Sequence, residues 1–456
     1  MPKTDLFEAF DTISPKVWKQ KIQFELDGAD YANTLIWETP EGIKVKPFYT
    51  AEDSAENTLA TPTNAEKRWK IGQLIYAGNA VIANKKAVEA VQQGAESLIF
   101  NLPSNEVPIP KVLQGLNKPE IPVHCYPQFL PEISDIKKLQ HFTATYLCVD
   151  PIGHLAQTGN WFFNEKKDWE MLSNGINHGS NLALSVDSSL YQNAGANKVQ
   201  QLAYALAHAH EYIHFLASTK QLTSCKRIVF KVAVGSHYFF EIAKLRALRQ
   251  LWNTLASEYD ISWECHILAT PTLRNKTIYS YNTNMLRTTM ECMAAIMGGA
   301  DTISNVAYDA VYHKENDFGQ RIARNQLLVL KHESYLSAVA HPADGSYYVE
   351  SVTQQLAEKS LALFKSIEQG GGFLAQLKAH TIQKKIKENA AKEQQRFAEG
   401  KEVLVGTNAY ALPDEKMKVE LQRYPFVKTN RIKTFLEPII IRRLAEVLEQ
   451  KRLDHE

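Results

Sequence analysis

Residues 184–197 read LSVDSSLYQNAGAN, and the fold turns on what this stretch is. Leu184-Ser185-Val186 reads as the end of a buried strand, and Ala194-Gly195-Ala196 as the start of a helix. A strand-to-helix turn of this kind is where a (β/α) barrel places its chemistry. Here the turn is filled by Asp187, Ser188, Ser189, Leu190 and Tyr191. Either this is an active site, or it stands where one used to be.

Working outward, a strand/helix alternation begins near Trp69. Apolar runs that predict strands cover 71–77, 97–102, 123–126, 146–149, 181–186, 228–234, 263–268 and 302–305, with helical patterns such as 85–93 and 196–218 between them. Eight short apolar runs alternating with helices over roughly 250 residues predict an α/β chain folded as a (β/α)8 TIM barrel. A doubly wound open sheet is the competing arrangement, and pattern alone does not separate the two. Residues 66–350 are assigned to the barrel.

Before it, Ser14-Pro15 is a helix start, with Ser as cap and Pro at the first helical position. Trp18, Ile22 and Leu26 follow at spacings of four, and TLIWETPEGIKVKPFYT reads as strand, turn and strand. This helix-plus-hairpin arm cannot bury its own apolar face, so it should lie on the barrel or on a partner chain. With the polar stretch 51–65, read as a linker, it makes up an N-terminal unit, residues 1–65. After the barrel, GQRIARNQLLVLKHES predicts a strong helix and HPADGSYYVE a turn-rich loop, and Gly370-Gly371-Gly372 breaks the chain. AHTIQKKIKENAAKEQQRFAEG predicts a charged, solvated helix. EVLVGTN predicts one more strand and IIIRRLAEVLEQKR a last helix, so 351–456 form a mainly helical C-terminal extension.

Composition narrows the function classes. Of 456 residues, 45% are hydrophobic and 22% charged, as in an ordinary globular protein. The net charge of +1 gives no electrostatic footprint for nucleic acid or an anionic membrane. The five cysteines are widely spaced without a C-x-x-C pair, which predicts free buried thiols in a reducing compartment. The start, MPKTDLFEAFDTIS, lacks the apolar core of a targeting signal, and no apolar run approaches a membrane span. The expected location is cytoplasmic.

One sharp motif stands out. His210-Glu211-Tyr212-Ile213-His214 matches H-E-x-x-H, which on a helix sets both imidazoles on one face for Zn²⁺ with Glu211 as general base. The pattern fixes only three positions, His208 makes the face generally His-rich, and Glu241 is the lone suggestion of a third ligand. The metal reading is therefore set aside. Asp150-Pro151-Ile152-Gly153-His154 follows a strand but reads as structural, and Gly298-Gly299 as a helix stop.

Longer segments carry a resemblance. ANTLIWETPEGIKVKPFYTAED, YFFEIAKLRALRQLW, LRTTMECMAAIMGGADTI, GQRIARNQLLVLKHES, HPADGSYYVESVTQQLAEKSL and EVLVGTNAY, in that order, resemble the methylmalonyl-CoA mutase family. The resemblance implies an adenosylcobalamin-dependent radical rearrangement of a CoA thioester, with a barrel around the substrate and a separate cobalamin domain. It also implies losses. Ser189 and Leu190 stand where catalytic members carry Tyr-His. In RWKIGQLIYA, Gly72 replaces the Arg that holds CoA phosphate, and Leu74 the Tyr that crowds the adenosyl group. Leu268 and Thr270 stand where a His and a Gln grip the acyl group. Arg227 in KRIVF matches a CoA-contacting Arg and is a weak substrate-binding candidate. The cobalt-ligating D-x-H-x-x-G sequence does not occur.

The expectation is a non-catalytic small subunit of a heterodimeric mutase, with adenosylcobalamin bound by the large catalytic partner and none by this chain. The alternative is an active mutase chain whose cobalamin domain is a separate polypeptide. A zinc hydrolase using His210, Glu211 and His214 stands third.

Overall fold

A computed structural model describes residues 13–53, 69–179, 181–428 and 433–456. After a small hairpin, β1 (Trp37–Glu38) and β2 (Lys44–Val45), eight parallel strands follow: β3 (Lys70–Tyr76), β4 (Ser97–Leu102), β5 (Val123–Pro127), β6 (Thr145–Val149), β7 (Leu182–Asp187), β8 (Arg227–Val234), β9 (Glu264–Pro271) and β10 (Thr302–Ser304). Each pairs with the next, and β10 pairs with both β9 and β3, so the sheet closes. Closure removes the open-sheet alternative. The predicted strands are the observed ones to within a few residues. β9 runs past its predicted end because Thr270 and Pro271 continue the ladder against Ala233 and Val234.

The strands are apolar on both faces, as buried parallel strands must be. Ile71, Leu98, Phe100, Leu184, Val186 and Phe230 join the layer under the surrounding helices. The alternate residues Ile99, Cys148, Ala183, Val229 and Leu268 form a separate cluster on the barrel axis. Cys125, Cys148, Cys225 and Cys292 are buried thiols, and Cys265 is partly exposed. Among the described residues no helix is long and apolar enough to cross a membrane.

The opening stretch is the turn it was read as. β7 ends at Asp187, a short helix Ser189–Asn193 follows, and the next long helix is Lys198–Ser218. It starts later than its pattern predicts because Asn197 is the cap, its side chain accepting from the Gln200 amide. Gly195 between them has φ +101°, and a Cβ there would meet the Cβ of Ala390 at 2.6 Å. That close approach seats the helix Thr381–Ala398 of the C-terminal extension.

The arm divides in two. The hairpin lies on the barrel: Ile43 is fully buried, Trp37 stacks on His237 at 5.0 Å, and Glu41 pairs with Lys198 at 3.3 Å. The helix Pro15–Glu25, capped by Ser14 as expected, buries no residue. Residues 1–12 and most of the polar linker lie outside the described residues.

The C-terminal extension departs most from expectation. The helix Tyr347–Gln369 begins in the predicted loop and crosses residue 350, the expected limit of the barrel. EVLVGTN forms no strand, only an isolated bridge between Val405 and Ala409. The last helix is only Glu446–Asp454. Residues 433–445 instead run across the C-terminal mouth of the barrel. Their amides donate to loop carbonyls there: Leu436 to Gly159, Ile439 to Ala156, Arg442 to Asn193 and Leu444 to Arg274, at 2.7–3.0 Å. Hydrogen bonds to three separate βα loops outweigh the local helical tendency of IIIRRLA.

Gly195→Ala should cost about 1–3 kcal/mol, since both its positive φ and the Ala390 contact resist a methyl group. Urea denaturation of the two chains measures the difference.

Candidate functional site

A barrel's chemistry belongs at the C-terminal ends of its strands. Here that mouth holds a cavity of about 210 Å³, lined among others by Tyr126, Asp187, Ser189, Leu190, Lys231 and Ile441. This is below the roughly 300–1,000 Å³ of ordinary small-molecule sites, whereas a second cavity of about 650 Å³ on the same face, lined by Gly195, Gly235, Ser236, Thr272 and Arg274, lies within that range. Ile441 comes from the C-terminal strap over the mouth. The charged groups at the rim are committed to each other. Lys231 Nζ lies 2.7 Å from Asp187. The Ser189 hydroxyl also donates to Asp187, and its amide does so at 3.1 Å. The sequence marks Asp187 by its place in the turn but not its partner, for which a lone Lys231 in the apolar run IVFKVAV is the one signal.

The other expected positions are equally short of reactive groups. Leu190 is buried, and Leu74 presents a half-exposed isobutyl group at the rim. A Cβ on Gly72 would meet Thr302 Cγ2 at 2.8 Å and Ile99 Cδ1 at 3.1 Å. The barrel lining has therefore closed over the space a longer side chain would need. Leu268 sits in the axial cluster with Ile99, Cys148, Ala183 and Val229, with Tyr126 and Tyr146 packed against it. Thr270 lies one residue before the end of the same strand, paired in register with Ala233.

Below this plug the axis stays filled. The rings of His124 and His266 are 4.6 Å apart, and His266 Nε2 is 3.1 Å from the Thr302 hydroxyl. Burial, with His266 and Arg227 nearby, holds the His124 imidazole well below its ordinary value, so it stays neutral. Burial also pushes the Cys148 thiol up to about 12, which leaves it protonated and unreactive. Arg227, at the opposite end of β8 from the mouth, pairs with Glu264 and lies 3.6 Å over the Tyr146 ring. Its guanidinium is spent inside the protein.

Asp150 is a structural node. Its carboxylate accepts from the amides of Gly153 (2.7 Å) and Asp187 (2.9 Å), from the Tyr212 hydroxyl (2.6 Å) and from His208 Nε2 (2.8 Å). His208 Nδ1 in turn is 2.9 Å from the Tyr191 hydroxyl. Burial works to raise the Asp150 carboxyl, but His208 and the other donors outweigh it and its pKa is lowered. His154 stacks on Phe162 at 3.7 Å.

The H-E-x-x-H residues lie far down the helix Lys198–Ser218, in the outer layer. Glu211 lies beside Glu368 but is engaged elsewhere, its Oε1 accepting from the Leu374 amide at 2.8 Å. His210 Nδ1 instead meets Glu368 at 2.8 Å, and both His210 and His214 reach the Tyr259 hydroxyl. The motif thus lacks its base, and Glu368 and Tyr259 are neighbours that local spacing did not announce.

A family model described as methylmalonyl-CoA mutase matches residues 134–447. The chain belongs to the methylmalonyl-CoA mutase family. It is 30% identical over 447 residues to a methylmalonyl-CoA mutase small subunit of Porphyromonas gingivalis, covering 90% of this chain and 71% of that one. It is 28% identical to a methylmalonyl-CoA mutase small subunit of Streptomyces virginiae, with 86% and 68% covered. Against a methylmalonyl-CoA mutase of Cereibacter sphaeroides the identity is 29%, with 87% of this chain and 64% of the relative covered. This member of the mutase family keeps the barrel and fills its axis.

Asp150→Asn should lose about 2–4 kcal/mol near pH 7, because several donors lose a charged acceptor. The folded pKa lies below the ordinary carboxylate value of about 3.9, so the stability Asp150 adds is complete above that value and disappears as pH falls through the folded one. Denaturation curves between about pH 5 and pH 3 should show the deficit of the variant shrinking as the solution is acidified.

Proposed function

We propose that this chain is the non-catalytic small subunit of a heterodimeric, adenosylcobalamin-dependent methylmalonyl-CoA mutase. On this reading a large catalytic subunit binds the cofactor and interconverts methylmalonyl-CoA and succinyl-CoA, within cytoplasmic propionate metabolism. The observation that carries the proposal is the packed barrel axis. A thioester long enough to reach the mouth would have to displace Leu268, Ile99 and Val229, which touch one another. The group to be bound does not fit either: the rim offers Leu74 and Leu190, and residues 433–445 cover the mouth where a corrin would have to approach. No step of the rearrangement is therefore assigned to this chain.

Support for a partner comes from the arm. The helix Pro15–Glu25 projects with Val17, Trp18 and Phe24 exposed, Phe24 by 81%. Apolar side chains of this size, carried on an unburied helix next to a docked hairpin, fit an element that covers another chain. The small subunit would then contribute stability by shielding an apolar face of the catalytic chain.

Purified alone and supplied with adenosylcobalamin, the chain should show no turnover of methylmalonyl-CoA. Coexpressed with the large subunit it should elute as a one-to-one complex, and the double variant Trp18→Ala/Phe24→Ala should weaken that complex by at least about tenfold. A large subunit that is stable and fully active without this chain contradicts the proposal. Turnover by this chain with an added cobalamin-domain protein would instead establish the split active mutase.

A further inference from the structure

We propose that His210, His214 and Glu368 hold one Zn²⁺ ion that ties the barrel's outer helix to the C-terminal extension. The proposal is independent of the mutase reading. His210 and His214 are four residues apart on the helix Lys198–Ser218, so their imidazoles share one face, and their ring centroids are 4.1 Å apart. Glu368 arrives from the end of the helix Tyr347–Gln369. One nitrogen from each imidazole and one oxygen of Glu368 lie within 4.8 Å of one another, the one such group among the described residues. Tetrahedral bonds of about 2.0–2.1 Å require donor separations of roughly 3.3 Å, so the three side chains would turn inward to close on an ion.

Two further observations point to a cation. The second carboxylate oxygen of Glu368, Oε1, is buried with no hydrogen-bond partner among the described residues. A buried carboxylate oxygen left unsatisfied is costly, and a bound metal would neutralise that carboxylate. The imidazoles are also already gathered: His210 Nε2 and His214 Nε2 lie 2.7 and 3.1 Å from the one Tyr259 hydroxyl. His210 Nδ1 faces Glu368 at 2.8 Å, so a ligand set that includes Glu368 takes His210 through Nδ1. Tyr259 caps the C-terminus of the helix Tyr238–Glu258, and Glu368 lies in the last turn of its own helix. Two helix C-termini therefore direct their partial negative charge at the site.

The donor set, two imidazoles and a carboxylate, suits zinc over the hard divalent cations. His214 is exposed, which leaves a route for the ion and a place for one water. With Glu211 hydrogen-bonded to the Leu374 amide instead of facing that water, the ion is structural and not hydrolytic.

The full chain, stripped with a chelator and dialysed against Zn²⁺, should bind one ion per chain and melt at a higher temperature. Co²⁺ in its place should give the visible absorption of a tetrahedral site. His214→Ala, which alters an exposed side chain and should not disturb folding, and Glu368→Gln should each weaken zinc binding at least about tenfold and abolish the thermal shift. Glu211→Gln should leave both unchanged. Absence of stoichiometric zinc, or zinc binding that survives His214→Ala, overturns the proposal. Loss of zinc on Glu211→Gln overturns it as well and would restore the hydrolase reading.

Discussion

The contact between Leu268 and its neighbours on the barrel axis governs the rest of this molecule. Ile99, Cys148, Ala183, Val229 and Leu268 come from five strands and meet at the centre. A TIM barrel is a packed core in any case. Here hydrocarbon closes it. Above it the polar groups Lys231, Asp187 and Ser189 satisfy one another. The strap at residues 433–445 then completes a lid over the mouth.

The same economy shows in the charged interior. Asp150 joins β6, the turn after β7 and the helix Lys198–Ser218 through a single carboxylate. In position it resembles a catalytic acid at the end of a barrel strand. Its carboxylate, however, is engaged by four donors of the protein, and the loops they belong to are thereby cross-linked. Arg227 follows the same pattern at the other end of the barrel, held by Glu264 and the Tyr146 ring.

Much of this was legible because barrel strands are short, buried and separated by amphipathic helices. The run 97–102 is the strand Ser97–Leu102, and Ser14-Pro15 caps the helix it announces. The strap was not legible, because its stability comes from carbonyls of Gly159, Ala156, Asn193 and Arg274, which no local pattern connects to IIIRRLA. For the same reason Glu368 escaped: the third member of the histidine cluster lies on a distant helix, whereas a motif search looks along one. Leu74, Leu190 and Leu268 stand out only against a resemblance. The structure adds that at Gly72 Thr302 and Ile99 occupy the space a side chain would need.

A shut axis leaves a CoA thioester nowhere to bind along it, and binding tests this most directly. Equilibrium dialysis of methylmalonyl-CoA against the isolated chain should show no saturable uptake up to about 1 mM, the upper end of ordinary substrate affinities. Stoichiometric binding below that concentration, lost when the axis is further filled by Ala183→Leu, would contradict it.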